Sequence, residues 1–177
     1  MRLLITPWKT IFESIFGKEA RPCASRRLTF EALEKRQMMA GDTLSSAAHV
    51  SLSPSAKSEI EATIGSGEVK LYAVELQAGQ TRAADIDAHK LDEGGSLSHL
   101  DARLRVFEEL VQEVAHNDDA ADPETGAASH DPALSFTAPV SGIYYVGVSE
   151  KGKSDYSPTE AHSGSGDSVG DYHLELS

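Results

Sequence analysis

From Glu68 onward the apolar positions recur every second residue, the period of a strand that buries one face. Tyr72, Val74 and Leu76 share a face, Ala78-Gly-Gln80 turns the chain, and Ala84, Ile86 and Ala88 share the next. Leu100, Ala102, Leu104 and Val106 alternate with Asp101, Arg103 and Arg105, and a short strand follows over about 111–116. Leu134, Phe136 and Ala138 predict another, then Tyr144, Val146 and Val148, and finally Tyr172, Leu174 and Leu176. Gly, Pro, Asp and Asn clusters separate these segments. The pattern predicts an all-β chain, an antiparallel β-sandwich or jelly roll of about seven to eight strands. A helix over 97–116 stands beside this locally, because Leu100, Leu104, Phe107 and Val111 also fit a 3.6-residue period.

The front of the chain is built differently. Trp8, Ile11, Phe12, Ile15 and Phe16 fall on one helical face with Lys9, Glu13 and Lys18 on the other, which predicts a short amphipathic helix. The segment Arg26-Arg-Leu-Thr-Phe-Glu-Ala-Leu-Glu-Lys-Arg-Gln-Met-Met-Ala-Gly-Asp42 resembles the LEPR-XLL type motif of large exported planctomycete proteins. Its matching positions are Phe30, Glu31, Leu33, Glu34, Arg36, Met38, Met39 and Ala40, with Met-Met where Leu-Leu is common. The resemblance implies an address for export or surface sorting, with a processing point near Ala40 and Gly41. Residues 43–67 are rich in Ser, Ala and Gly and read as a linker with room for a short helix over 56–64, ended by Gly65-Ser-Gly67. The division expected is therefore a basic targeting or sorting segment at 1–42, a linker at 43–67 and a β-sandwich domain at 68–177.

Charge sharpens that division. Residues 1–42 carry 8 Lys and Arg against 5 Asp and Glu, whereas 43–177 carry 8 against 23. So acidic a domain lacks the clustered cations that release counterions from phosphate, which excludes nucleic acid as the expected partner. Carboxylates also blunt strand edges and keep a β-protein apart from its copies. The single cysteine, Cys23, lies in the front segment, so the domain has no internal disulfide and no cysteine nucleophile. No run of about 18 apolar residues predicts a transmembrane helix.

Six pieces from Glu68 to Ser177 resemble, in order, the bacterial pre-peptidase C-terminal domain. They are Leu71-Tyr-Ala-Val-Glu-Leu-Gln-Ala-Gly-Gln-Thr81, Leu100-Asp-Ala-Arg-Leu104, His116-Asn-Asp-Asp119, Leu134-Ser-Phe-Thr-Ala-Pro139, Gly142-Ile-Tyr-Tyr-Val146 and Gly170-Asp-Tyr-His-Leu174. The resemblance implies a β-sandwich that accompanies secreted peptidases or sits in multidomain surface proteins. Two positions depart from it. Lys70 stands where an aspartate and possible metal ligand is common, and Glu108-Glu-Leu110 stands where a glycine turn is usual, so a longer strand or an added helical turn is expected there.

The candidate chemistry is a hard-cation site. Asn117, Asp118 and Asp119 adjoin Asp122 and Glu124, Asp131 precedes the next strand, and Asp101 lies on a neighbouring one. Calcium takes 6–8 oxygens in flexible geometry, and such a cluster can supply them. The resemblance makes this corner the expected metal site, and Asp101, Asn117, Asp118, Asp119 and Asp131 are the candidate calcium ligands in it. The competing reading is an Asx-rich turn with solvated acids, Asp101 pairing with Arg103 or Arg105. The seven histidines show no zinc spacing, Gly164-Ser-Gly166 is no strained nucleophile turn, and the glycines of 164–170 lack the lysine of a phosphate loop.

The expected function is that of a non-catalytic module, exported to the extracellular space or cell surface. It binds a protein or polysaccharide, or supports a partner domain, through Tyr144 or Tyr145, Phe107 and the 150–169 loop. An N-terminal spacer of a larger surface protein, or an accessory module or inhibitor of a secreted peptidase, are the alternatives.

Overall fold

A computed structural model of the chain describes residues 41–52, 57–88 and 99–177. The amphipathic helix, the sorting motif and Cys23 lie outside the described residues. Nine strands are present among them: β1 (Ala48–Val50), β2 (Ser58–Ile64), β3 (Val69–Leu76), β4 (Thr81–Asp87), β5 (Ala102–Glu108), β6 (Glu113–Asn117), β7 (Ala133–Thr137), β8 (Gly142–Glu150) and β9 (Gly170–Leu176). They form two sheets, one of five strands in the order β1-β3-β8-β5-β6 and one of four in the order β2-β9-β4-β7. Every pairing is antiparallel except β1 with β3, which is parallel. The chain is an all-β sandwich.

The predicted alternation becomes its interior. Tyr72, Val74, Leu104, Val106, Tyr144 and Val146 of the five-stranded sheet meet Ala84, Ile86, Phe136, Tyr172, Leu174 and Leu176 of the four-stranded sheet in one buried cluster. Each large aliphatic side chain taken from water contributes roughly 1.5–3 kcal/mol, so this shared layer is what makes the two sheets one body. At its centre the hydroxyls of Tyr72 and Tyr172 are 2.6 Å apart, each satisfying the other across the sheets.

Two expectations at 43–67 are corrected, and the alternatives at 97–116 are decided. The helix expected over 56–64 does not form in its described residues: Ser58–Ile64 pairs along its whole length with β9, from Ser58 opposite Leu176 to Ile64 opposite Gly170. Ile60 and Ile64 fit an i, i+4 helical pair as well as a strand face. The β9 edge decides between them, burying both isoleucines while Glu59 and Glu61 stay exposed. With β1 and β2 inside it, the 43–67 stretch contributes to both sheets and is not wholly a linker. The 97–116 stretch is likewise strand wherever it belongs to a regular element. β5 and β6 form a hairpin through Glu109–Gln112, in which the Glu108 N–H donates to the Gln112 carbonyl (2.9 Å) and the Val111 N–H to the Glu108 carbonyl (2.9 Å).

The five-stranded sheet is also covered on its outer face. Val69 and Leu71 of β3, Phe107 of β5 and Tyr156 form a second buried cluster, with Leu44, Ala47 and Tyr145 packed against it. Its roof is the 151–169 segment, which returns over the sheet as a strap between β8 and β9. The 41–47 segment is tied to both. The Leu71 N–H donates to the Gly41 carbonyl (3.0 Å), and the Leu44 N–H to the Pro158 carbonyl (2.8 Å).

Candidate functional site

The acidic corner is assembled where β5 begins, β6 ends and β8 ends. Glu150, the last residue of β8, lies opposite Ala102, so Lys151 falls beside Asp101. The Lys151 N–H donates to the Asp101 carbonyl (2.7 Å), and its ammonium donates to Asp119 Oδ2 (2.6 Å) and lies 3.9 Å from Asp118 Oδ2. Arg103 Nη1 is 3.5 Å from Asp118 Oδ2, and His130 Nδ1 is 3.6 Å from Asp119 Oδ1. The hydrogen bond and charge of Lys151 hold the Asp119 carboxyl below its usual range, and Asp119 in turn raises the Lys151 ammonium. Two acceptors, Asp101 Oδ1 and Asn117 Oδ1, are buried without a hydrogen-bond partner.

Three of the five expected calcium ligands, Asp101, Asp118 and Asp119, thus gather around a lysine. Asp131 is buried at the base of the 120–131 loop, its N–H donating to Ser129 Oγ and its carbonyl accepting from Ala120. Among the described residues no group of three or more His, Cys, Asp or Glu is placed to hold a metal ion. An Asx turn does form in this region, but on Asp122, whose Oδ1 accepts from the N–H groups of Glu124 (2.8 Å) and Thr125 (3.1 Å). Arg103 pairs with Asp118 and Arg105 with Glu113, so neither takes Asp101 in an ion pair. Lys70, at the departure from the resembled pattern, pairs with Glu68 at 3.2 Å.

The aromatic contact surface expected from the sequence is largely interior. Tyr144 is 1 % exposed in the inter-sheet core and Phe107 2 % exposed under the strap. There the Arg105 guanidinium lies 4.7 Å from the Phe107 ring centre and 4.5 Å from that of Tyr156, within cation–π range. Its Nε donates to Glu113 (2.6 Å) and its Nη1 to the Tyr156 carbonyl (2.8 Å), which fixes the strap to β5 and β6. Tyr156 can lie on the sheet because residue 147 is glycine: a Cβ there would overlap the tyrosine hydroxyl and come within 3.0 Å of Leu71. Burial raises the Tyr156 hydroxyl well above its usual value. The signal for this face was present in the sequence, since Val69, Leu71 and Ala73 leave β3 apolar on both sides, the mark of a strand covered twice.

The opposite end of the five-stranded sheet presents apolar groups outward. Leu110 at the β5–β6 tip is 85 % exposed, Val111 39 % and Val140, in the β7–β8 turn, 58 %. The register places Glu108 opposite Tyr144 and Leu76 opposite Gly142, so both turns stand at the same end. Val111 has φ of 70°, a left-handed conformation that a β-branched side chain disfavours. The tip is thus a closed, strained turn carrying two uncovered aliphatic side chains beside the acids Glu108 and Glu109.

A planctomycete extracellular family matches residues 24–43, across the segment read as a sorting motif. Among the curated proteins none matches the chain by sequence. Among solved structures the chain is similar to PliG of Aeromonas hydrophila, a periplasmic inhibitor of g-type lysozyme, at 19% identity over 73% of this chain and 94% of that one, with a TM-score of 0.45. It is similar to the pre-peptidase C-terminal domain of collagenase from Bacillus anthracis at 14% identity over 73% and 92%, TM-score 0.45. It is also similar to CorA of Methylomicrobium album, a surface-associated copper-binding protein, at 10% identity over 73% and 97%, TM-score 0.37. No helix among the described residues is long and apolar enough to cross a membrane.

Proposed function

We propose that the chain is an exported, non-catalytic β-sandwich module of the pre-peptidase C-terminal type, which acts by binding a protein partner through the β5–β6 tip. The observation that carries this reading is the pairing of exposure and strain at Leu110 and Val111. Backbone strain is kept where surrounding structure or function demands it, and uncovered aliphatic groups on a fixed turn suit a partner's apolar pocket. Glu108 and Glu109 favour a pocket with a basic rim. The match of residues 24–43 to an extracellular family supports export. The six resembled pieces support the module type, since they fall on β3 and its turn, the start of β5, the end of β6, β7, β8 and β9.

The non-catalytic reading draws on what the loop serines do. Ser163 Oγ donates to the Ser157 carbonyl (2.9 Å) within the strap, and Ser168 Oγ donates to the His99 carbonyl (2.8 Å), so the first serves the strap's own backbone and the second ties the strap to the chain entering β5. A sugar-stacking surface is disfavoured because Tyr144 and Phe107 are covered.

The test places a photo-cross-linking residue at position 110, and separately at position 61 on β2, in the exported protein. A cross-linked protein partner at 110 but not at 61, lost when Val140→Asp and Val111→Asp are added, is expected. Equal labelling at both positions, or labelling indifferent to those changes, rejects the tip as the contact.

A further inference from the structure

The calcium expected at Asp101, Asn117, Asp118, Asp119 and Asp131 does not fit the side chains as they stand. A divalent ion needs 6–8 oxygens, and the carboxylates nearest one another are already turned toward a cation of the chain itself. We propose that Lys151 is the resident cation of this corner, its ammonium standing where a divalent ion would otherwise join Asp101, Asp118 and Asp119.

The position of Lys151 follows from the register. Because Glu150 lies opposite Ala102, the next residue is delivered to the mouth of β5, and its N–H closes on the Asp101 carbonyl at 2.7 Å. From there the side chain crosses β5 toward the chain leaving β6, meeting Asp119 at 2.6 Å and Asp118 at 3.9 Å. The Asp101 carboxylate also acts on the ammonium through its charge, which gives the buried Oδ1 of Asp101 a cation nearby although no hydrogen bond reaches it. Arg103 supplies a second positive group to Asp118, and His130 faces Asp119 from the other side. An incoming divalent ion would meet two fixed cations at close range, and like charges a few ångströms apart oppose it. The ammonium is held by a covalent tether, so the three strand ends are joined without drawing on the calcium of the surroundings.

Thermal unfolding of the full chain, in millimolar calcium and in chelator, tests this directly. The same midpoint in both media is expected for the unaltered protein. Lys151→Met should lower it by about 1–3 °C, the scale of one partly exposed ion pair in a domain of this size. Lys151→Arg should keep most of the midpoint, and adding Asp119→Asn to Lys151→Met should cost little more than either change alone. A calcium-dependent rise in the unaltered protein overturns the proposal by showing that a metal does occupy the corner. Lys151→Met melting with the unaltered protein overturns it as well, because the ammonium would then join nothing.

Discussion

On its inner face the five-stranded sheet meets the four-stranded sheet through residues two apart in sequence, Tyr72 with Val74 and Leu104 with Val106. On its outer face it meets the 151–169 strap, through Leu71, Phe107 and the single tyrosine Tyr156. The inner contact is many side chains deep and repeats along every strand. The outer one depends on an arginine held between two rings and on a glycine that leaves room for one of them. Both bury β3 and β5, yet the first holds two sheets together and the second closes a loop over one. They should therefore fail in different ways when cut.

The sharpest way to separate them is to truncate one anchor on each side. Leu174→Ala, which opens a cavity between the sheets, is expected to cost about 3–4 kcal/mol, and Tyr156→Ala, on the strap, about 2–3 kcal/mol. Hydrogen exchange distinguishes them beyond magnitude. Leu174→Ala should lower protection throughout both sheets, whereas Tyr156→Ala should release the amides of 151–169 first and leave β3, β8 and β9 protected. Uniform loss of protection in Tyr156→Ala would show that the strap and the sandwich unfold as one unit and erase the distinction.

The tyrosine pair offers the next contrast, because the inner face contains a polar bridge that must be satisfied. Tyr72→Phe leaves the Tyr172 hydroxyl buried without its partner 2.6 Å away, and denaturant unfolding should show a loss of about 1–2 kcal/mol. Tyr172→Phe should behave alike, and the double change should cost less than the sum of the two, since neither hydroxyl is then left alone.

Alkaline pH acts on both faces at once. Burial raises the hydroxyls of Tyr72 and Tyr172 between the sheets and of Tyr156 under the strap. Their unfolded values lie near about 10, so stability from this source is complete below that pH. Above it the unfolded chain loses protons that the folded chain keeps, and stability falls as pH rises toward the folded values. Unfolding midpoints measured from pH 8 to 11 should be flat at first and then decline, and Tyr156→Phe should soften the decline.

The inner face was legible in the sequence because alternation is a local property. Every residue named there for a strand face lies in the interior or packs against it. The outer face needed a different signal. Leu71 and Phe107 are out of phase with the inner set, and what covers them is about 50 residues away along the chain in Phe107's case, in a Ser- and Gly-rich segment that reads as a loop. β2 was obscured by Ile60 and Ile64, whose spacing satisfies two periods, and only the β9 edge chooses between them. At the acidic corner the oxygen-bearing residues were legible, while Lys151 was not, because the register that brings it beside Asp101 is a tertiary fact.

The smallest expected effect concerns the tip, which belongs to neither buried face and whose left-handed residue is set by the hairpin's closing hydrogen bonds, not by packing. Val111 holds φ of 70° with its side chain 39 % exposed. Val111→Gly relieves a left-handed conformation that costs a β-branched residue about 1–3 kcal/mol, while the freer unfolded chain returns roughly 0.5–1 kcal/mol of that gain. A net stabilisation on the order of 1 kcal/mol, the middle of that difference, is therefore expected, read as a raised denaturant midpoint with an unchanged slope. The same change should weaken the cross-link at position 110, because it removes an aliphatic group and loosens the turn presenting the other. A variant more stable yet poorer in binding would tie the strain to the contact. Equal or lower stability would mean that the valine fits its turn, and would take away half of the reason for placing a partner there.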